Sequence, residues 1–165
     1  MTGPGWDTGP IMTGLSLGGP APDFTLRDQF GADVTLSSYR GTKAVALLFF
    51  PYAFSGVCSG EMASIRDRLD EFMTFDTEVL AISCDPVYSM RAFADHDGLN
   101  FPLLSDFWPH GAVSSAYDVF DETKGSPRRS SYVVDRDGTV RWSVHNANPE
   151  GRDLEEHLRQ LRALV

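Results

Sequence analysis

The chain is short of cysteine: its 165 residues include two, Cys58 and Cys84. Small secreted chains that rely on disulfides carry more, so the scarcity points to a reduced, cytoplasmic setting. Cations are scarce too, with 14 Lys and Arg against 23 Asp and Glu, a formal net charge of −9, and none before Arg27. That balance excludes sequence-independent binding to nucleic acid or to anionic lipid, which needs clustered positive charge. The charged n-region of a secretory signal peptide is missing. Long apolar runs are absent: the longest, Ala44 to Pro51, falls well short of the roughly 20 residues of a membrane-spanning helix. Disorder is excluded by what remains, because 42% apolar and 12% aromatic residues suffice for a core.

Several chemical signatures are missing as well. His96, His110, His145 and His157 have no metal-ligand spacing to one another or to the cysteines, so neither metal nor cofactor is expected. No Cys-x-x-Cys, phosphate loop, dinucleotide fingerprint or Gly-x-Ser-x-Gly elbow occurs.

Residues 1–17 read as a flexible, Gly- and Pro-rich head without periodicity, and 18–165 as one domain. Met-Thr-Gly stands at both Met1 and Met12, so Met12 is a candidate start. Within the domain, 23–27 and 33–36 alternate like strands around a Gln29-Phe30-Gly31 turn. Ala44–Phe50 and Val79–Ser83 are continuous apolar runs, as in strands buried on both faces. A helix is predicted over 57–73, with Met62, Ile65, Leu69, Phe72 and Met73 on one stripe, and another over 87–97 closed by Gly98. A short strand at 100–104, a short helix at 112–117, a hairpin spanning 131–144 and an amphipathic helix at 153–164 complete the chain. Buried strands alternating with helices, followed by a late hairpin, predict a three-layer α/β fold with a mixed central sheet flanked by helices.

Cys58 draws attention by its position. The chain runs from a buried strand through Pro51-Tyr52-Ala53-Phe54-Ser55-Gly56-Val57 and reaches Cys58 in the first turn of a helix. Ligands bind at such strand ends in α/β sheets. A thiol there meets unpaired backbone N–H groups and the positive end of the helix dipole, which favour the nucleophilic thiolate.

Pro51-x-x-x-Ser55-x-x-Cys58 resembles the active-site motif of the peroxiredoxins, Pro-x-x-x-(Thr/Ser)-x-x-Cys. Ala21-Pro22-Asp23-Phe24, Phe49-Phe50-Pro51, Glu61, Phe101 to Asp106 and Arg129 to Asp135 follow the family order across residues 18–163. Leu103 to Gly111 resembles the one-cysteine alkyl hydroperoxide reductase E group of actinobacteria in particular. The resemblance implies a thioredoxin-like fold and a thiol peroxidase that reduces hydrogen peroxide, organic hydroperoxides or peroxynitrite through a Cys58 sulfenic acid. It assigns Ser55, an Arg and backbone N–H groups to the peroxide, and Pro51 to shielding the sulfur. The adjacent Arg128 and Arg129 point to opposite faces of a strand, and the family pattern selects Arg129, with Glu61 orienting it and Arg128 left as a solvated side chain. Ser55 stands where the family more often has Thr, losing the methyl that restrains the rotamer.

Position 63 is Ala and no cysteine follows Cys84, so neither common place for a resolving thiol is filled. Cys84 reads as a small core residue. The reductant is then an external thiol, of the mycothiol/mycoredoxin or thioredoxin type. The alternative function is a sensor or relay that passes oxidation from Cys58 to a partner protein. Tyr52, Phe54, Phe107 and Trp108 are read as either core or the border of an interface, since relatives form homodimers or larger homo-oligomers. If residues 1–11 are dispensable, a chain beginning at Met12 should match the full chain in thermal melting and peroxide reactivity; loss of either refutes it.

Overall fold

The computed structural model describes residues 15–146 and 151–164. Strands β1 (Thr25–Arg27) and β2 (Asp33–Thr35) form the first hairpin, and a 3-10 turn at Leu36–Tyr39 leads to β3 (Ala44–Phe49). Then come α1 (Gly56–Asp67), α2 (Leu69–Thr74), β4 (Thr77–Ser83), α3 (Val87–Asp97), β5 (Leu103–Ser105) and α4 (Ala112–Ala116). A small hairpin of β6 (Phe120–Asp121) and β7 (Ser126–Pro127) precedes β8 (Ser130–Val134), β9 (Val140–His145) and α5 (Leu154–Arg162).

Seven strands form one mixed sheet in the order β2-β1-β5-β4-β3-β8-β9. The central strands β3, β4 and β5 run parallel, while β1 and β8 join them antiparallel. All six residues of β3 are buried, and from Val45 to Phe49 they alternate between two cores. Ala46 and Leu48 face the layer formed by Met62 and Ile65 of α1, Phe72 of α2, Met90 and Phe93 of α3, and Leu158 and Leu161 of α5. Val45, Leu47 and Phe49 face Phe24, Tyr117 and Tyr132. The fold is thus the expected three-layer α/β arrangement with a mixed sheet. Residues 1–14, including Met12, lie outside the described residues. Leu15 already touches the domain, its N–H donating to the Tyr132 hydroxyl at 3.2 Å, within the stretch read as a head.

Three local expectations need correction. The helix over 57–73 is two helices, broken at Arg68, whose backbone leaves the helical region at φ −115° and ψ 17°. Restarting at Leu69 turns Phe72 into the core and leaves Met73 61% exposed, outside the apolar stripe. The strand over 100–104 begins only at Leu103, because the Gln29 side chain takes the place of a neighbouring strand. Its amide donates to Phe101 O at 3.1 Å and its oxygen accepts from Leu103 N at 2.9 Å. Gln29 lies in the expected turn between β1 and β2, with its side chain buried. The third miss comprises the 3-10 turn and the β6–β7 hairpin, elements too short to show a period.

The hairpin over 131–144 appears as β8 and β9, turned by Asp135, whose carboxylate accepts from the N–H groups of Asp137 and Thr139. Gly138 supplies the positive φ of 85° that this turn requires.

Candidate active site

The candidate site lies where β3 ends and α1 begins. Phe50 N–H donates to Ile82 O at 2.9 Å, continuing the sheet contact one residue beyond the strand, and Pro51 follows, buried and without an N–H. The loop after it is tied down from several sides. Asp85 Oδ2 accepts from Ala53 N at 2.9 Å and from the Ser83 hydroxyl at 2.6 Å, while Tyr52 donates to Lys124 O at 3.3 Å. Phe54 is held at φ +69°, a conformation costly for a bulky residue. Its ring, 5.1 Å from that of Phe93, offsets part of that cost. Ser55 then caps α1: its backbone is extended, and its Oγ accepts from Cys58 N at 3.4 Å.

Cys58 has no solvent-exposed surface. Around its sulfur stands a buried group of charges. Arg129, immediately before β8 and 3% exposed, directs both Nη1 and Nη2 to Cys58 Sγ, each at 3.5 Å. Arg129 Nη1 also donates to Glu61 Oε1, one helical turn beyond Cys58 on α1. The other oxygen of Glu61 accepts from Arg152 N at 2.7 Å and lies 3.3 Å from Arg152 Nε. The Arg152 side chain is fully buried, just before α5. Its Nη1 donates to Ser130 O and Ser131 Oγ, both at 2.9 Å, and its Nη2 to Phe49 O. Burial pulls this guanidinium below its ordinary range, and Glu61 counters the pull. Two guanidiniums against one carboxylate leave one net positive charge beside the Cys58 sulfur.

The structure thus brings Ser55, Cys58, Glu61 and Arg129 together, with Pro51 at the head of their loop. Arg128 is not the solvated side chain expected. It is half-buried and donates to Asp118 O at 3.3 Å and Phe120 O at 3.4 Å, on the side away from Cys58. Cys84 is buried just past β4, and burial, with Asp106 nearby, pushes its thiol up to about 12. Tyr52, Phe54, Phe107 and Trp108 are exposed, Trp108 by 80%.

Sequence reasoning missed Arg152 entirely. It stands one residue before Asp153, which caps α5 by accepting from Glu156 N at 3.2 Å. Charged residues at such positions usually face water, so no local pattern flags one that turns inward.

Comparison with known proteins fits this geometry. The profile of the AhpC/TSA family matches residues 17–143. The chain is 52% identical to alkyl hydroperoxide reductase E of Mycobacterium tuberculosis over 151 residues, 92% of this chain and 99% of the relative. The chain belongs to the peroxiredoxins.

Solved structures agree. Peroxidoxin BcpB from Mycobacterium tuberculosis superposes with a TM-score of 0.82 at 30% identity, covering 92% of this chain and 99% of that one. The mitochondrial 2-Cys peroxiredoxin from Plasmodium falciparum gives 0.82 at 29% identity, covering 90% and 94%. The fold is therefore the thioredoxin-like one of the family, and this peroxiredoxin is a thiol-dependent peroxidase. Among the described residues, no helix is long and apolar enough to cross a membrane.

One further buried group adjoins the charges. His157 on α5 is 1% exposed, and burial, aided by the Arg152 charge, pushes its imidazole from 6.5 down to about 4. The unfolded chain binds this proton more readily, so stability from His157 is complete above pH 6.5 and is lost as pH falls towards 4. The loss amounts to about 3 kcal/mol. Urea midpoints measured between pH 7 and pH 4 should fall in the wild type and fall less in His157→Gln; equal slopes would show that the imidazole carries no such linkage.

Proposed function

We propose that Cys58 is the peroxidatic nucleophile of a one-cysteine peroxidase whose substrates are hydrogen peroxide, organic hydroperoxides or peroxynitrite. The observation that carries this reading is the pair of Arg129 nitrogens, each 3.5 Å from Sγ. In the reaction, the thiolate attacks one peroxide oxygen, the S–O bond forms, and the O–O bond breaks. Cysteine is oxidised by two electrons to the sulfenic acid, and the leaving oxygen departs as water from hydrogen peroxide, as an alcohol from an organic hydroperoxide, or within nitrite from peroxynitrite. Arg129 faces the sulfur and the developing charge on the leaving oxygen, already oriented by Glu61. Ser55 Oγ accepts from Cys58 N, which leaves its hydroxyl proton to donate to the peroxide. That cap contact also restrains the Ser55 rotamer, the role of the missing methyl. Pro51 presents no N–H and keeps the loop head dry.

Recovery needs two reducing equivalents. An external thiol attacks the sulfenic sulfur, water leaves, and a second thiol releases Cys58 from the mixed disulfide. Mycothiol with mycoredoxin, or a thioredoxin-type protein, fits this step in a cytoplasmic setting. The high value at Cys84, about 12, supports its reading as a core residue, since a neutral buried thiol is a poor resolving nucleophile. The exposed rings of Phe107 and Trp108 support a homodimer or larger homo-oligomer.

Stopped-flow mixing of the reduced chain with hydrogen peroxide should show a fast Cys58-dependent phase that is absent in Cys58→Ser. A wild type no faster than a free thiol would overturn the assignment. Cys84→Ala should keep both this phase and turnover with an external thiol. Mass mapping of the peroxide-treated wild type should show no bond between Cys58 and Cys84; such a bond, with turnover lost in Cys84→Ala, would make Cys84 the resolving thiol.

A further inference from the structure

Arg152 reaches Glu61 on one side, and on the other it enters a hydrogen-bond chain with a single possible polarity. Arg152 Nη1 donates to Ser131 Oγ at 2.9 Å, and a guanidinium has no acceptor to offer in return. The other neighbour of the Ser131 hydroxyl is His157 Nε2, at 2.7 Å. In the neutral ring Nε2 is the unprotonated nitrogen, accepting from Ser131, because of what Nδ1 faces. Nδ1 carries the hydrogen and donates to Asp153 O at 2.6 Å, where only an acceptor is present. Each group in the chain has one role, and all of them are buried or half-buried.

The surroundings enforce that state. Around the His157 ring stand Trp142 of β9, edge-on with centroids 4.9 Å apart, Ser131 of β8, Arg152 and Asp153 ahead of α5, and Glu61 of α1. A second proton on the ring would face the Ser131 hydroxyl as a donor and place an imidazolium beside the Arg152 guanidinium. Without an acceptor at position 157, the buried Ser131 proton would have to turn elsewhere.

We infer that His157, through the Ser131 hydroxyl, is a positioning residue that sets where Arg152 holds Glu61 and hence where Arg129 stands against Cys58. The inference rests on the peroxidatic reading of Cys58. It adds two residues to the site, on β8 and α5, that do not touch the sulfur. His157 acts only in its neutral form, as the acceptor that orients Ser131.

The test measures the second-order rate of hydrogen peroxide with the reduced full-length chain at neutral pH, beside thermal melting of each variant. His157→Phe keeps a ring against Trp142 but offers no acceptor, and Ser131→Ala removes the hydroxyl with little change in volume. Both should react about tenfold more slowly or worse, as when a contact remote from the reacting atoms shifts a catalytic group. His157→Gln retains an acceptor and should recover most of the rate even where its melting temperature falls as far as that of His157→Phe. A purely structural role would instead make the rates of Gln and Phe variants equal. Rates at the wild-type level in His157→Phe and Ser131→Ala, or no recovery with Gln, overturn the inference. If His157→Phe does not fold, Ser131→Ala against wild type decides. A wild type no faster than Cys58→Ser is a separate result: the peroxidatic reading then fails, and this inference with it.

Discussion

Two buried guanidiniums share one carboxylate beneath the only thiol that faces them, and much of the site's geometry follows from that arrangement. Taking charged groups out of water costs several kcal/mol each unless partners replace the solvent. Here the partners come from three elements. Glu61 of α1 bridges Arg129 and Arg152, and Cys58 lies against Arg129. Arg152 Nη1 meets Ser130 O and Ser131 Oγ, and its Nη2 meets Phe49 O. Phe49 and Ser130 are the last paired residues of the β3–β8 ladder, so Arg152 caps the open end of two strands while it holds Glu61. Sheet and site are thereby coupled: the ladder supplies the acceptors that make a buried Arg affordable, and that Arg fixes the carboxylate that orients Arg129. Removing one member would leave uncompensated charge in a dry interior, typically a loss of about 3–5 kcal/mol.

The loop between β3 and α1 solves a different problem. It must carry the chain from a strand into a helix whose first turn holds a fully buried cysteine. Asp85, from the end of the neighbouring strand β4, anchors Ala53 and is itself held by Ser83. That anchoring, with the ring of Phe93, sustains the left-handed backbone at Phe54. Backbone strain of this kind persists only where surrounding contacts over-determine the conformation. The result is a helix whose N-terminus is capped by the Ser55 side chain, which accepts from Cys58 N.

Much of this was legible in the residues themselves. Continuous apolar runs marked β3 and β4 as strands buried on both faces, and the strand–turn–helix placement singled out Cys58. Resemblance, rather than physics, chose Arg129 over Arg128, because neighbouring strand residues differ only in the face they take. What remained hidden is non-local. Arg152 precedes a helix cap, where charge is ordinarily solvated. Gln29 sits in a turn by composition, yet its amide stands in for a strand backbone against Phe101 and Leu103. The break at Arg68 escaped because the period of the apolar residues continues across it; what ends α1 there is local backbone geometry.

The two cysteines show how little burial alone decides. Both are free and buried, so exposure does not separate them. The sign of the nearby charge does. Cys84 has Asp106 and Asp85 as its charged neighbours, and together with desolvation they disfavour its anion. Cys58 has two guanidinium nitrogens at contact distance and a second guanidinium behind the bridging carboxylate. In a medium that screens poorly, such a difference is far larger than it would be at the surface. The two thiols therefore differ in the charge around them and not in accessibility: carboxylates just past β4 and β5 stand near one, and arginines ahead of β8 and α5 near the other.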